Sequence, residues 1–202
     1  MAARAHSVDP RAERVRTRLR EAAFALAHER QVDAITVGDI VARAGVSRQV
    51  FYQHFSDRDD AVATAFTAAF AAATADVGST AVDARARILR LFDFAAEHRS
   101  MYRNIVPSAV TQRVVTAFRA ELQPACIQIA RQGMPVVSPI ASLTPESVTR
   151  FLVGGFMEVL RSWMEDMEDP ASTDLSGRVG AALDTVNALL GLTTHSKGSQ
   201  HG

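Results

Sequence analysis

The chain has 202 residues, 48% of them hydrophobic and 22% charged, with 22 basic residues against 22 acidic ones and a net charge of zero. That length and apolar content argue for a soluble globular protein, either one large domain or a small domain joined to a larger one. No run approaches the roughly 18 apolar residues of a membrane span, and the arginine-rich start lacks a following apolar signal core, so the expected place is the cytoplasm. The single cysteine, Cys126, has no partner for an internal disulfide and reads as a small buried apolar residue.

Taken in order, residues 1–8 carry no periodic pattern and are expected to form a disordered arm. Asp9 caps a helix that Pro10 opens and that runs to about Glu29, with Val15, Leu19, Ala22, Ala23 and Leu26 facing inward and most of the arginines outward. After a polar turn, Thr36 and Asp39 have the spacing of a capping box. Val37, Ile40, Val41 and Ala44 then repeat as one apolar stripe of a short helix. Gly45 supplies a tight reversal, Ser47 caps a second short helix, and Phe51 and Phe55, four apart, face the core. Arg48, Gln49, Val50 and Tyr52 are left on the outer part of that second helix, where a helix-turn-helix protein inserts side chains into the major groove.

Ser56 is expected to cap the next helix, with Asp59 completing a second box, and that helix continues through Val62, Phe66 and Phe70 to a break at Gly78 and Ser79. It reads as a lever between two domains. Further helices are expected over Asp83–His98, around Met101–Val106 and from Ala109 to about Gln132, the last kinked at Pro124. Residues 133–144 read as a loop stiffened by two prolines. Thr144 caps and Pro145 opens a helix to Met167, and a final helix runs from about Leu175 to Leu190. No segment alternates as a strand does, so the fold class is all-α. The expected domains are a DNA-binding domain over 9–56, a larger helical domain over 57–192 and a flexible tail over 193–202.

Charge is segregated although it sums to zero. Residues 1–58 hold ten arginines against seven acidic residues, net +3, and residues 145–190 hold three against eight, net −5. The N-terminal part suits a polyanion. Together with the two short helices, its arginines point to phosphate neutralisation rather than to a merely solvated face.

The set Thr36, Ile40-Val41, Ala44-Gly45-Val46-Ser47, Phe51-Tyr52-Gln53-His54-Phe55 and Arg58 resembles the N-terminal domain of the tetracycline-repressor (TetR) family of transcriptional regulators, over residues 11–65. The sequence departs from that pattern at Arg58, where the family usually has Lys, and at Gly38, inside the first helix. On this reading Arg48 and Gln49 read bases and Val50 touches a thymine methyl. Thr36, Ser47, Tyr52, His54 and Arg58 grip phosphates, His54 having a hydrogen bond inside the domain as its alternative role.

The resemblance also implies a ligand pocket and a dimer in the second domain. Phe92, Met101, Tyr102, Phe118, Met157 and Trp163 could line the pocket or be plain core, with His98, Arg103, Asn104 and Gln128 as polar groups able to orient a ligand. The last two long helices would form the dimer interface, at Gly154, Gly155, Val159, Val186 and Leu190. The expected function is a ligand-responsive regulator, a repressor that binds a palindromic operator as a homodimer and is released by a small apolar or aromatic inducer. The alternative is a helical regulator whose second domain serves dimerisation or protein partners only.

An enzyme is the rival class. The sequence has no Gly-rich phosphate loop, no His-Glu-x-x-His and no Gly-x-Ser-x-Gly, and its six histidines lack ligand spacing. The acidic cluster Glu165, Asp166, Glu168 and Asp169 reads as a solvated helix end. No catalytic residue, metal or cofactor is expected.

Overall fold

Every regular element in the computed structural model, which describes residues 10–75, 83–165 and 174–192, is helical. The N-terminal arm, the cap at Asp9, the break at Gly78 and Ser79, the cluster members from Asp166 to Asp169 and the C-terminal tail lie outside those residues. The order is α1 (Pro10–Glu29), α2 (Val37–Ala44), α3 (Arg48–Tyr52), α4 (Arg58–Thr74), α5 (Ala84–Glu97), α6 (Arg99–Ile105), α7 (Thr111–Val137), α8 (Pro145–Glu165) and α9 (Leu175–Leu189), with a 3-10 turn at Val32–Ala34.

The chain forms two compact units, Met1–Ala73 with His98–Ala117, and Thr74–Glu97 with Phe118–Gly202. Both α4, read from sequence as the lever, and α6 thus fall almost wholly in one unit with α2 and α3. Of α7, residues 111–117 belong to the first unit and 118–137 to the second, whereas α4 gives the second only Thr74.

In the first unit Leu19, Ala23 and Leu26 of α1 are buried with Ile40 and Val41 of α2, Phe51 of α3, Phe55, and Val62 and Phe66 of α4. Ile35 is buried too, as its place under the first reader helix requires. α6 adds Met101, Tyr102 and Ile105. The amide of Asn104 donates to the carbonyls of Ala27 and His28 at 2.9 and 3.2 Å, closing the last turn of α1, where helix carbonyls have no partner of their own. His28 Nδ1 lies 2.9 Å from the Phe24 carbonyl and must donate there, which leaves Nε2 to accept from His98 Nδ1 at 3.1 Å. Asn104 and His98, read as possible ligand-orienting groups, therefore have structural work.

Two local readings need correction. The cap of α4 is Asp57, not Ser56: Asp57 Oδ1 accepts from the Asp60 amide at 2.8 Å, and Asp60 Oδ2 accepts from the Ser56 amide at 3.2 Å. The cap falls one residue later because a carboxylate satisfies the third helical amide as well as a hydroxyl does, and Asp60 reaches back past the cap to the Ser56 amide. Nor do residues 133–137 begin a loop, since α7 continues through both Pro124 and Pro135. Both prolines are exposed, and so are Ala120 and Arg131, whose carbonyls lose their amide donors; water can solvate what the prolines leave unpaired.

The second unit packs around Phe92, Phe118 and Phe156, with ring centroids 5.3 and 6.3 Å apart and edges turned to faces. Cys126 is buried there, and burial pushes its thiol up to about 12, so it is inert at neutral pH. Thr144 caps α8 as expected, accepting from the Ser147 amide at 3.2 Å.

Candidate nucleic-acid interface

The reader begins with the capping box foreseen from sequence. The Thr36 hydroxyl accepts from the Asp39 amide at 3.1 Å, and Asp39 Oδ2 accepts from the Thr36 amide at 2.8 Å. Hydrogen bonds from the side chain and then the backbone of Thr36, and the Arg30 guanidinium 3.1 Å away, hold the Asp39 carboxyl below its ordinary value. A lowered carboxyl value means the box is intact above the ordinary aspartate range and is lost as pH falls through the lowered value.

α2 ends where Gly45 enters the left-handed region at φ 64°, and the Val46 amide closes back on the Val41 carbonyl at 3.1 Å. The turn is also held from outside. Arg18 of α1 donates to the carbonyl of Ala44 and, at 3.4 Å, to that of Gly45, and a Cβ at position 45 would stand 2.9 Å from its guanidinium. Sequence reasoning missed this role, because helical spacing does not distinguish Arg18 from Arg14 or Arg16; only the crossing of α1 over α2 does.

Ser47 then caps α3, accepting from the Val50 amide at 3.3 Å. Phe51 and Phe55 turn inward with ring centroids 5.7 Å apart. Arg48, Gln49 and Tyr52 turn outward, Tyr52 at 59% exposure, and Val50 is half-buried. Gly38, a propensity cost when α2 is read alone, has a use: a Cβ there would lie 3.1 Å from the Arg48 guanidinium and 3.3 Å from the Thr36 hydroxyl. Glycine leaves Arg48 room beside the cap.

Thr36 is exposed, but its hydroxyl also donates to Asp39 at 2.7 Å, so it reaches another acceptor only by leaving the box. His54 is half-buried, and among the described residues its ring has no hydrogen-bond partner. Arg58 departs from expectation most. Its Nη1 donates to the carbonyls of Asp33 and Ile35 at 3.1 and 3.2 Å, Nη2 meets Asp33 Oδ1 at 3.3 Å and Nε meets Asp59 Oδ1 at 2.7 Å. It ties the turn before α2 to the start of α4, so it reaches a phosphate only by giving up some of these bonds. Arg58→Ala is therefore expected to cost roughly 1–3 kcal/mol of stability while leaving the salt dependence of DNA binding unchanged, as urea unfolding and binding titrations at several salt concentrations would measure.

The residues foreseen for a ligand pocket divide between the two units. Met101 and Tyr102 sit in the first unit, where Tyr102 meets Phe66 edge to face at 5.6 Å, and Phe92, Phe118, Met157 and Trp163 belong to the second. All but the half-buried Met157 are buried. The first unit has a groove of about 300 Å³ walled by Arg20, Phe24 and four alanines of α4, and the second has one of about 420 Å³ between Gln123, Ile127 and Arg131 of α7 and the start of α8. Neither is lined by any of the six. Of the dimer residues, Gly154 and Gly155 are exposed and Val159 and Val186 half-buried, whereas Leu190 is buried against Gly133 within its own unit and is core. No helix among the described residues is long and apolar enough to cross a membrane, and no three of their His, Cys, Asp or Glu side chains converge as metal ligands.

Residues 19–63 match the family model of bacterial regulatory proteins, tetR family. No curated protein matches the chain. Among solved structures, a TetR-family transcriptional regulator from Streptomyces coelicolor is similar over 87% of this chain and 83% of its own, with a TM-score of 0.58 at 20% identity. A structure from Rhodococcus sp. assigned to the same family is similar over 86% of this chain and 98% of its own, with a TM-score of 0.61 at 19% identity. The transcriptional regulator FadR from Bacillus subtilis, solved with stearoyl-CoA, covers 88% of this chain and 99% of its own, with a TM-score of 0.59 at 14% identity. In this chain the matched residues 19–63, with α2 and α3 capped and the outer face of α3 turned to solvent, form a helix-turn-helix of the kind found in the tetR family of bacterial regulatory proteins, and the chain as a whole shares the fold of these solved regulators.

Proposed function

We propose that the chain is a ligand-responsive repressor that binds a palindromic operator as a homodimer and is released when a small apolar or aromatic molecule binds its second domain. The observation that carries the DNA part is the exposed row Arg48, Gln49 and Tyr52 on a helix anchored from behind by Phe51. Arg48 and Gln49 have the planar donors that suit guanine and adenine edges, and Val50 can meet a thymine methyl. Ser47, Tyr52 and His54 are the phosphate contacts, with Thr36 joining them where it leaves its box. One such reader covers only a half-site, so a two-fold pair reading successive major grooves about 34 Å apart is the economical arrangement.

Ligand response has a different support. A neighbour of the same fold was solved with stearoyl-CoA, a ligand with a long apolar chain. Release requires only that the ligand prefer the dimer whose readers are out of register, and a 100-fold preference corresponds to roughly 2.7 kcal/mol. α7, with residues in both units, is a more direct carrier of that change than α4.

Against it, Phe92, Phe118 and Trp163 are fully buried, which favours the second reading, a domain for dimerisation or protein partners only. Linkage separates the two. A ligand found by thermal-shift screening is expected to bind the DNA complex more weakly than the free protein, by the factor with which it weakens DNA binding. Equal affinity for both forms would leave the second domain without a ligand-response role.

A further inference from the structure

Gly38 is the second residue of α2, and its backbone does not call for glycine: among the described residues only Gly45 and Gly191 have a positive φ. Alanine would make the better helix there. What the position requires is space. A Cβ built on Gly38 would stand 3.1 Å from the Arg48 guanidinium and 3.3 Å from the Thr36 hydroxyl and, beyond its own turn of helix, would meet nothing else within 4 Å. The bare start of α2 is a shelf, and the tip of Arg48, the first residue of α3, lies over it.

That tip is held by shape alone. Arg48 is exposed and makes no hydrogen bond or ion pair with any described residue. Other arginines of the unit are committed: Arg18 to the carbonyls of Ala44 and Gly45, Arg30 to Asp39, Arg43 to Glu29, and Arg58 to Asp33, Ile35 and Asp59. The carboxylate next to the shelf, Asp39, is taken by the amide and hydroxyl of Thr36 and by Arg30, so it does not draw Arg48 in. All the donors of Arg48 stay free for a base edge. A floor beneath a long side chain limits the directions from which its planar fork can come, and bidentate donation to guanine O6 and N7 accepts few of them.

We propose that Gly38 is a specificity-determining position: it is the shelf that aims Arg48 at its base pair, and a side chain there redirects the guanidinium without loosening the helix. This rests on the reading of Arg48 as a base contact. It adds that the choice of base pair belongs jointly to α2 and α3.

The test uses the full-length chain and a site selected from a random duplex pool, each base pair of the half-site then being changed in turn. Arg48→Ala is expected to lose its preference at one base pair. Gly38→Leu is expected to lose about tenfold or more in affinity through that same base pair while binding random duplex as the wild type does. Gly38→Ala, which asks the guanidinium to retreat by only a few tenths of an ångström, is expected to lose less. In an Arg48→Ala background, Gly38→Leu should change binding by no more than about twofold, because the group it displaces is already gone. Both Gly38 variants are expected to melt no lower than the wild type, since alanine and leucine are better helix formers than glycine. A role confined to the fold of α2 would instead leave binding at least as good at every base pair. A Gly38→Leu chain with the wild-type base profile, beside an Arg48→Ala chain that has lost its base pair, overturns the shelf and leaves Arg48 a reader. An equal loss from Gly38→Leu with and without Arg48 also overturns it, since the leucine would then be meeting DNA and not Arg48. A loss from Arg48→Ala of the same size at every base pair overturns the reading of Arg48 and the shelf with it.

Discussion

Phe51→Ala is expected to lower the stability of the DNA-binding unit by about 3–5 kcal/mol and to abolish DNA binding at the growth temperature of a mesophile. Phe51 is wholly buried, against Phe55 at 5.7 Å and the edge of Tyr52 at 5.4 Å. α3 has five residues, far below the length at which a helix holds itself together in water, so its geometry is borrowed from this side chain. Truncating the ring leaves a cavity and frees the helix that carries Arg48 and Gln49. The neighbouring Tyr52→Ala is the control. With Tyr52 at 59% exposure, that change is expected to alter stability by less than about 1 kcal/mol while still weakening DNA binding. Urea unfolding of both variants measures the difference, and equal destabilisation would contradict the assignment of an inner and an outer face to α3.

Arg48→Ala should cost roughly 1–3 kcal/mol at a selected operator and much less on random duplex, because bidentate donation to a guanine edge is made only at the right base. The structure adds a reason to choose this residue. Its guanidinium lies beside Gly38, where the absence of a side chain leaves it room, and it is exposed. Competition titrations with specific and random DNA give the ratio. A loss of the same size on both would make Arg48 a phosphate contact.

The local structure of the reader was legible because each feature is written within four residues of itself. The Thr36–Asp39 box, the reversal at Gly45, the Ser47 cap and the inward pair Phe51 and Phe55 depend on short-range spacing, and all appear as read. The tertiary uses of side chains were not legible. Arg58 looked like a phosphate ligand because charge and position say nothing of the carbonyls of Asp33 and Ile35, some 25 residues earlier, that claim its donors. Arg18 looked like one solvated arginine among several, and its hold on the Ala44 carbonyl depends on a helix crossing. Leu190 looked like an interface residue because an apolar side chain at a helix end does not reveal that Gly133 makes room for it. Pro135 looked like part of a proline-stiffened loop, yet the helix runs through it on its exposed side, where water can solvate the carbonyl left unpaired.

The account stands most directly on one measurement, the binding of the full-length chain to duplexes selected from a random pool. The selected sites are expected to share an inverted repeat whose half-sites lie about one helical turn apart, and each duplex to take up two chains. Scrambling one half-site should reduce affinity by several orders of magnitude toward the non-specific level. A pool that yields no common sequence, or a site read equally well as a single half by one chain, would contradict the assignment of α3 as a paired, sequence-reading helix.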